Sequence, residues 1–171
     1  MKKLLLVIDM QNDFIDGALG TPEAEAIVPA VREHIEKRLS EGWDIWFTMD
    51  THTEDKYPGS MEGKWLPVSH CVKGTDGWQI HESLKPYAKT VIEKPNFGSI
   101  NVAFKASAKG YEEVELIGLC TDICVISNAM IIKAALPESE ISVVKDCCAG
   151  VSPESHENAL SAMKTCHINI I

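Results

Sequence analysis

Apolar residues in this chain fall into short continuous runs, separated by stretches with helical spacing. The runs lie in Lys2 to Asp9, Asp44 to Met49, Thr90 to Glu93, Val114 to Leu119, Ile141 to Val144 and His167 to Ile171. Runs of this length that do not alternate fit strands covered on both faces. Between them the pattern changes period. Pro29 suits the first turn of a helix whose apolar face is Val31, Ile35 and Leu39, ended by Gly42, with Thr21 to Val28 as a connector. Asn101 to Lys109 predicts a short helix stopped by Gly110. After Leu119, the residues Ile123, Val125, Ile126, Ala129, Met130 and Ala134 predict an interior helix, with Thr121 or Asp122 as its cap. Ser152 and Pro153 begin a last helix that buries Ala159, Leu160 and Met163. Strand and helix alternate throughout. The expectation is therefore an α/β fold: a three-layer, doubly wound sheet of about six mainly parallel strands in a single domain over residues 1–171.

The pattern fails once, over about residues 50–88, where Gly, Pro and Trp accumulate. Long loops of this kind are usually functional or disordered. Tyr57, Trp65, Trp78 and Tyr87 argue for order.

Polar residues stand where the apolar runs end. Asp9 closes the first, Lys94 follows the third, and Cys124 falls in the first turn of the helix after the fourth. The C-terminal edge of a parallel sheet is where such folds place their ligands. A helix N-terminus favours a thiolate and offers N–H groups to an oxyanion, so Cys124 is a candidate nucleophile. The alternatives are a cysteine packed as a small hydrophobe, an aspartate that caps a turn and a lysine reaching into water. In the insertion, Asp50 and His52 stand two apart and His70 follows. One carboxylate and two imidazoles suit zinc, iron or manganese, against the alternative of solvated loop residues.

Composition narrows the function classes. A formal net charge of -9 with no basic cluster argues against nucleic acid as partner. No apolar run spans a bilayer, and Asp9 interrupts the one that could mimic a secretion signal. The expected location is the cytoplasm. The six cysteines lack the spacing of a zinc knuckle or a disulfide framework, so Cys71, Cys120, Cys147, Cys148 and Cys166 are expected to be reduced and mostly packed.

Taken together, the motifs resemble the isochorismatase-like cysteine hydrolases, and within them the nicotinamidases. The resemblance rests on Asp9 with Gln11-Asn12-Asp13-Phe14, Asp50-Thr51-His52, Trp65 through Cys71, Lys94, Gly118 through Val125, and Asp146 through Gly150 with Pro153-Glu154. It implies a catalytic triad of Asp9, Lys94 and Cys124. It implies one divalent metal ion, zinc first with iron or manganese as alternatives, on Asp50, His52 and His70, with Glu62 as a further ligand. It also places a cis peptide at Leu119–Cys120 and an oxyanion hole on the N–H groups of Cys120 and Cys124. Phe14, Trp65 and Phe97 would wall a substrate ring. The implied activity is hydrolysis of nicotinamide to nicotinate and ammonia through a cysteine thioester, in NAD salvage, by a homo-oligomer. Two other readings stay open. One keeps the triad for another amide or carbamoyl substrate, such as an N-carbamoyl amino acid or a ureidoacrylate. The other is a non-catalytic binding module on the same frame.

Overall fold

The computed structural model describes all 171 residues. Six strands form one sheet: β1 (Lys3–Ile8), β2 (Asp44–Asp50), β3 (Val91–Lys94), β4 (Glu113–Leu119), β5 (Glu140–Ala149) and β6 (Asn169–Ile170). Their order is β3-β2-β1-β4-β5-β6, and every pairing is parallel. The chain thus builds outward from β1 in one direction, then returns to its other side at β4. That reversal leaves a crevice beyond the ends of β1 and β4, the usual ligand position in an open α/β sheet.

The helices are α1 (Asn12–Ile15), α2 (Pro22–Ser40), α3 (Met61–Trp65), α4 (Ile100–Lys109), α5 (Ile126–Ala135) and α6 (Pro153–Thr165). The sheet divides the buried side chains into two cores. Leu4, Leu6 and Ile8 of β1 meet Val102, Ala129 and Leu160 of α4, α5 and α6. The alternate residues Leu5 and Val7 meet Val31 and Ile35 of α2. This two-sided burial explains why the strands read as unbroken apolar runs.

Local chemistry fixes most element ends. The Ser99 side chain accepts from the N–H of Val102 at the start of α4, and Gly110 ends that helix at φ 67°. Ser152 and Ser155 form a capping box at α6, with Pro153 next.

Four expectations are corrected. Residues 22–28 belong to α2, not to a connector: Thr21 caps it by accepting from the Ala24 N–H, and Pro29 lies inside it. Pro29 and Glu25 are both exposed, so the carbonyl that loses its partner faces water. Leu39 is not on the buried face either, being 44% exposed. Strand β5 extends past Val144, because a register shift lets Lys145 and Asp146 bulge outward before Cys148 pairs with Gly118. Finally, neither Thr121 nor Asp122 caps the helix after β4. Thr121 Oγ1 lies 2.7 Å from Nδ1 of His156, and Asp122 accepts from the Val151 N–H. They instead pin α6 and the segment before it to a single π-helical turn, Thr121–Val125.

Candidate active site

Four neighbouring strands deliver four polar side chains to one rim. Asp9 follows β1, Asp50 ends β2, Lys94 ends β3, and Cys124 sits in the π turn after β4. Asp50 and Lys94 are register partners on adjacent strands. β1 and β4 come unusually close there, since a Cβ on Gly118 would lie 2.1 Å from the Ile8 carbonyl oxygen. Only glycine fits at that contact, and its φ of 118° also suits glycine.

The triad anticipated from sequence meets in space. Lys94 Nζ lies 2.6 Å from Asp9 Oδ2 and 3.5 Å from Cys124 Sγ, and donates to the Asn96 carbonyl at 3.0 Å. All three side chains are buried. The Thr48 hydroxyl donates to Asp9 Oδ1 at 2.6 Å and accepts the Asp9 N–H at 3.2 Å, fixing the carboxylate. Asp9 Oδ2 faces Lys94 as an ion pair but accepts no well-aligned hydrogen bond.

Ionisation follows from these contacts. Burial pushes the Asp9 carboxyl up, and Lys94 only partly offsets it. Burial alone would lower the Lys94 ammonium, but Asp9, Cys124 and Asp50 outweigh it and hold the charge. The Cys124 thiol is pushed well up by burial and by Asp9. Enclosure thus opposes the helix-terminal position, and the sulfur needs a base. The base-suited carboxylate is Asp9, the acid whose pKa is raised rather than lowered.

The insertion brings the second constellation. The ligating atoms of Asp50, His52, Glu62 and His70 all lie within 4.8 Å of one another. His52 Nε2 is 2.9 Å from Asp50 Oδ2, and His70 Nε2 is 3.4 Å from Glu62 Oε1. His70 Nδ1 lies 2.8 Å from the Val68 carbonyl, which sets Nε2 as the ring atom facing the cluster. Burial raises the Asp50 carboxyl, yet hydrogen bonds from His52 and His70 more than reverse that. Burial would lower His70, but Asp50 and Glu62 leave it pushed up to about 10. Carboxylates that keep a neighbouring imidazole protonated so firmly would favour a divalent cation in that proton's place. Two imidazoles and two carboxylates are a donor set for zinc or its neighbours.

One cavity of about 820 Å³ opens onto both constellations. Cys120, Ile123 and Cys124 line one side; Asp50, His52, Glu62 and His70 line another. Phe14 is 8% exposed in its wall, whereas Trp65 is 86% exposed at its mouth and Phe97 is 39% exposed. The Leu119–Cys120 peptide is cis. The N–H groups of Ile123 and Val125 are both taken by the Cys120 carbonyl, while no acceptor in the protein takes the Cys120 N–H.

Sequence reading missed several supporting residues. Gln11 donates through Nε2 to the carbonyls of Asp50 and Trp78, and accepts the Asp50 N–H at 2.7 Å. It ties the loop's first metal-ligand candidate to the end of β1. Asp13 accepts the Cys71 N–H at 2.7 Å and anchors the loop next to His70. Tyr57 stands edge-on to His52 and His70 and donates to the Leu66 carbonyl at 2.8 Å. Burial, with Glu62 and Asp50 nearby, pushes its phenol up to about 12, so it stays a neutral donor. The available signal was a polar run, Gln11-Asn12-Asp13, where a buried strand stops. All six cysteines are unpaired, and Cys166 is exposed.

Comparison with known proteins gives consistent likenesses. The family model for the isochorismatase domain matches residues 3–171. An isochorismatase family protein of Bacillus subtilis, PncA, is 32% identical, with 94% of this chain and 93% of that protein covered. The nicotinamidase/pyrazinamidase of Mycobacterium tuberculosis is 27% identical, with 99% of this chain and 98% of that protein covered. Among solved structures, the pyrazinamidase of Pyrococcus horikoshii in complex with zinc superposes with a TM-score of 0.84 at 30% identity, covering 100% of this chain and 99% of that one.

Proposed function

We propose that this chain, which belongs to the isochorismatase family, is a nicotinamidase: a cysteine amidohydrolase that converts nicotinamide to nicotinate and ammonia. One observation carries the reading. A single ammonium, Lys94, stands 2.6 Å from a carboxylate with raised pKa and 3.5 Å from a buried thiol, and that thiol lines the cavity that also exposes the Asp/His/Glu/His cluster.

The chemistry then assigns itself to the residues. Asp9 takes the proton of Cys124, and Lys94 holds the resulting anionic pair together. The thiolate attacks the amide carbonyl carbon, and the oxyanion is received by the N–H groups of Cys120 and Cys124. Asp9 returns the proton to the departing ammonia, leaving a thioester. Asp9 next deprotonates water, which cleaves the thioester and releases the carboxylic acid. Asp50, His52, Glu62 and His70 would hold one divalent ion, zinc first, whose chemistry is to bind a polar atom of the substrate ring and orient it. Phe14, Trp65 and Phe97 form the aromatic lining against which a planar ring would rest.

The reading treats residues 1–171 as one hydrolase domain, with the metal-ligand loop over about 50–88. It has the protein work as a homo-oligomer in NAD salvage, in the cytoplasm, where six unpaired thiols stay reduced. No helix is long and apolar enough to cross a membrane.

Ammonia release from nicotinamide tests the proposal. The zinc-loaded protein should release ammonia, Cys124→Ala should abolish release, and chelation should depress it until zinc is restored. Equal turnover by Cys124→Ala would refute a cysteine mechanism. Faster hydrolysis of N-carbamoyl compounds by metal-free protein would move the substrate to that class.

A further inference from the structure

The nucleophile and the lysine beside it are joined by a second route, through a residue that lies outside the triad and the metal cluster. Asn128 is fully buried in α5, one helical turn after Cys124. Its Nδ2 donates to the Cys124 carbonyl at 2.8 Å and to the Phe97 carbonyl at 3.0 Å. Its Oδ1 accepts the Ser99 N–H at 3.0 Å. Every hydrogen-bonding position this amide uses is therefore spent on two separate segments, the turn that carries the sulfur and the loop that follows Lys94.

That loop returns to the same sulfur. The Asn96 carbonyl accepts from Lys94 Nζ, and Nζ in turn lies 3.5 Å from Cys124 Sγ. The contacts close a ring: Cys124 backbone, Asn128 side chain, the 96–99 loop, Lys94 Nζ, Cys124 sulfur. The loop is also seated tightly on α5 next to Asn128. A Cβ on Gly98 would lie 2.5 Å from Ile131 Cδ1 and 3.2 Å from Ser127 Cβ. The same loop supplies Asn96 and Phe97 to the cavity wall, next to Pro95.

We propose that Asn128 is a positioning residue, which holds the 96–99 loop against the nucleophile's turn and so fixes both the Lys94–Cys124 contact and the Phe97 wall. It rests on the cysteine-hydrolase reading above. An ordinary buried asparagine would only stabilise α5. A positioning one must also alter the chemistry of the sulfur, because displacement on the order of 1 Å at a reacting group costs roughly 100-fold.

The test uses Asn128→Leu and, as a variant that leaves the amide intact, Gly98→Ala, whose added Cβ presses on Ser127 and Ile131 and so pushes the loop off α5 beside Asn128. With full-length zinc-loaded protein, both variants should lower kcat for nicotinamide by roughly 10- to 100-fold. KM should change less than kcat. The double variant should be little worse than the poorer single one, since both release one coupled element. Alkylation of Cys124 by iodoacetamide, followed by mass spectrometry of its peptide, gives a readout that needs no substrate. In both variants it should slow several-fold, while the exposed Cys166 reacts as before. If Asn128→Leu lowers only the unfolding temperature, with kcat and Cys124 alkylation unchanged in the folded protein, the proposal is overturned. Should Asn128→Leu fail to fold, unchanged kcat and alkylation in Gly98→Ala would overturn it equally. An unmodified protein inactive on every amide would instead remove the hydrolase reading, with the alkylation result still deciding the role of Asn128.

Discussion

Two buried clusters in this molecule pair a carboxylate with a basic side chain, and they are built to opposite ends. In one, Glu115 on β4 receives Arg38 Nη2 at 2.6 Å on Oε1, and Arg38 Nε at 2.8 Å on Oε2. His34 Nε2 lies 2.7 Å from the same Oε2. Burial would raise this carboxyl, yet His34 and Arg38 outweigh it and hold it below its ordinary value. In the other, Asp9 faces Lys94 with one oxygen that no well-aligned hydrogen bond occupies, and its carboxyl is raised. Both carboxylates are nearly inaccessible to solvent. The difference lies in what answers the cost of burial. Three nitrogens of two side chains hold the Glu115 carboxylate in its charged form and fasten α2 to the sheet. Asp9 has one ammonium and one hydroxyl, too little to offset its burial, so beside a thiol it keeps the capacity to take a proton.

The most severe way to break the contrast is to remove one carboxylate charge from each cluster. Asp9→Asn should lower kcat by roughly 10³-fold, as expected for loss of a general base. Glu115→Gln should leave kcat nearly intact but cost about 2 kcal/mol of folding stability, because charge-assisted hydrogen bonds from His34 and Arg38 are lost while Arg38 keeps Glu41. Thermal unfolding and steady-state rates on both variants check this. If Glu115→Gln were the less stable and also the less active of the two, the division of labour would fail.

A smaller effect is expected at the clasp beneath the metal ligands. Gln11→Leu should weaken zinc affinity by roughly 10- to 100-fold, as outer-shell substitutions do. Titration against a competing chelator would measure it, and an unchanged affinity would show that Asp50 needs no backbone anchor.

The gentlest probe is pH. The Glu115 carboxyl is depressed in the folded state, so its contribution is full above the ordinary 4.5 and fades as pH falls through the folded value. The Asp9 carboxyl is raised above the ordinary 3.8, so the base is lost at a higher pH than an exposed aspartate would lose its charge. On acidification at saturating zinc, kcat/KM should therefore decline before the fold does. Coincident loss of activity and of circular dichroism would contradict that order.

These contrasts also mark the limits of reading the chain without its fold. The unbroken apolar runs determined the parallel, doubly wound sheet, because strands covered on both faces have no polar side to show. Gly110, Ser152 and Pro153 determined helix ends through backbone chemistry that needs no distant partner. Asp9, Lys94 and Cys124 were legible as candidates because each follows the end of an apolar run at one edge of a parallel sheet, and the family resemblance grouped them as a triad. The tertiary structure decided the rest. Glu115 sat inside a strand pattern, and only the approach of α2 from 77 residues away in sequence supplied Arg38. Thr121 and Asp122 had the chemistry of caps, but His156 of α6 and the Val151 N–H before it claimed their side chains. Pro29 looked like a helix start until its place on the solvent face made an interior position tolerable. Cys124 stood where a thiolate is favoured, yet enclosure reversed that preference. Local backbone preferences act over a few residues and are written along the chain. Ionisation and hydrogen-bond saturation depend on what folding brings alongside, and that information is distributed over segments that meet only in three dimensions.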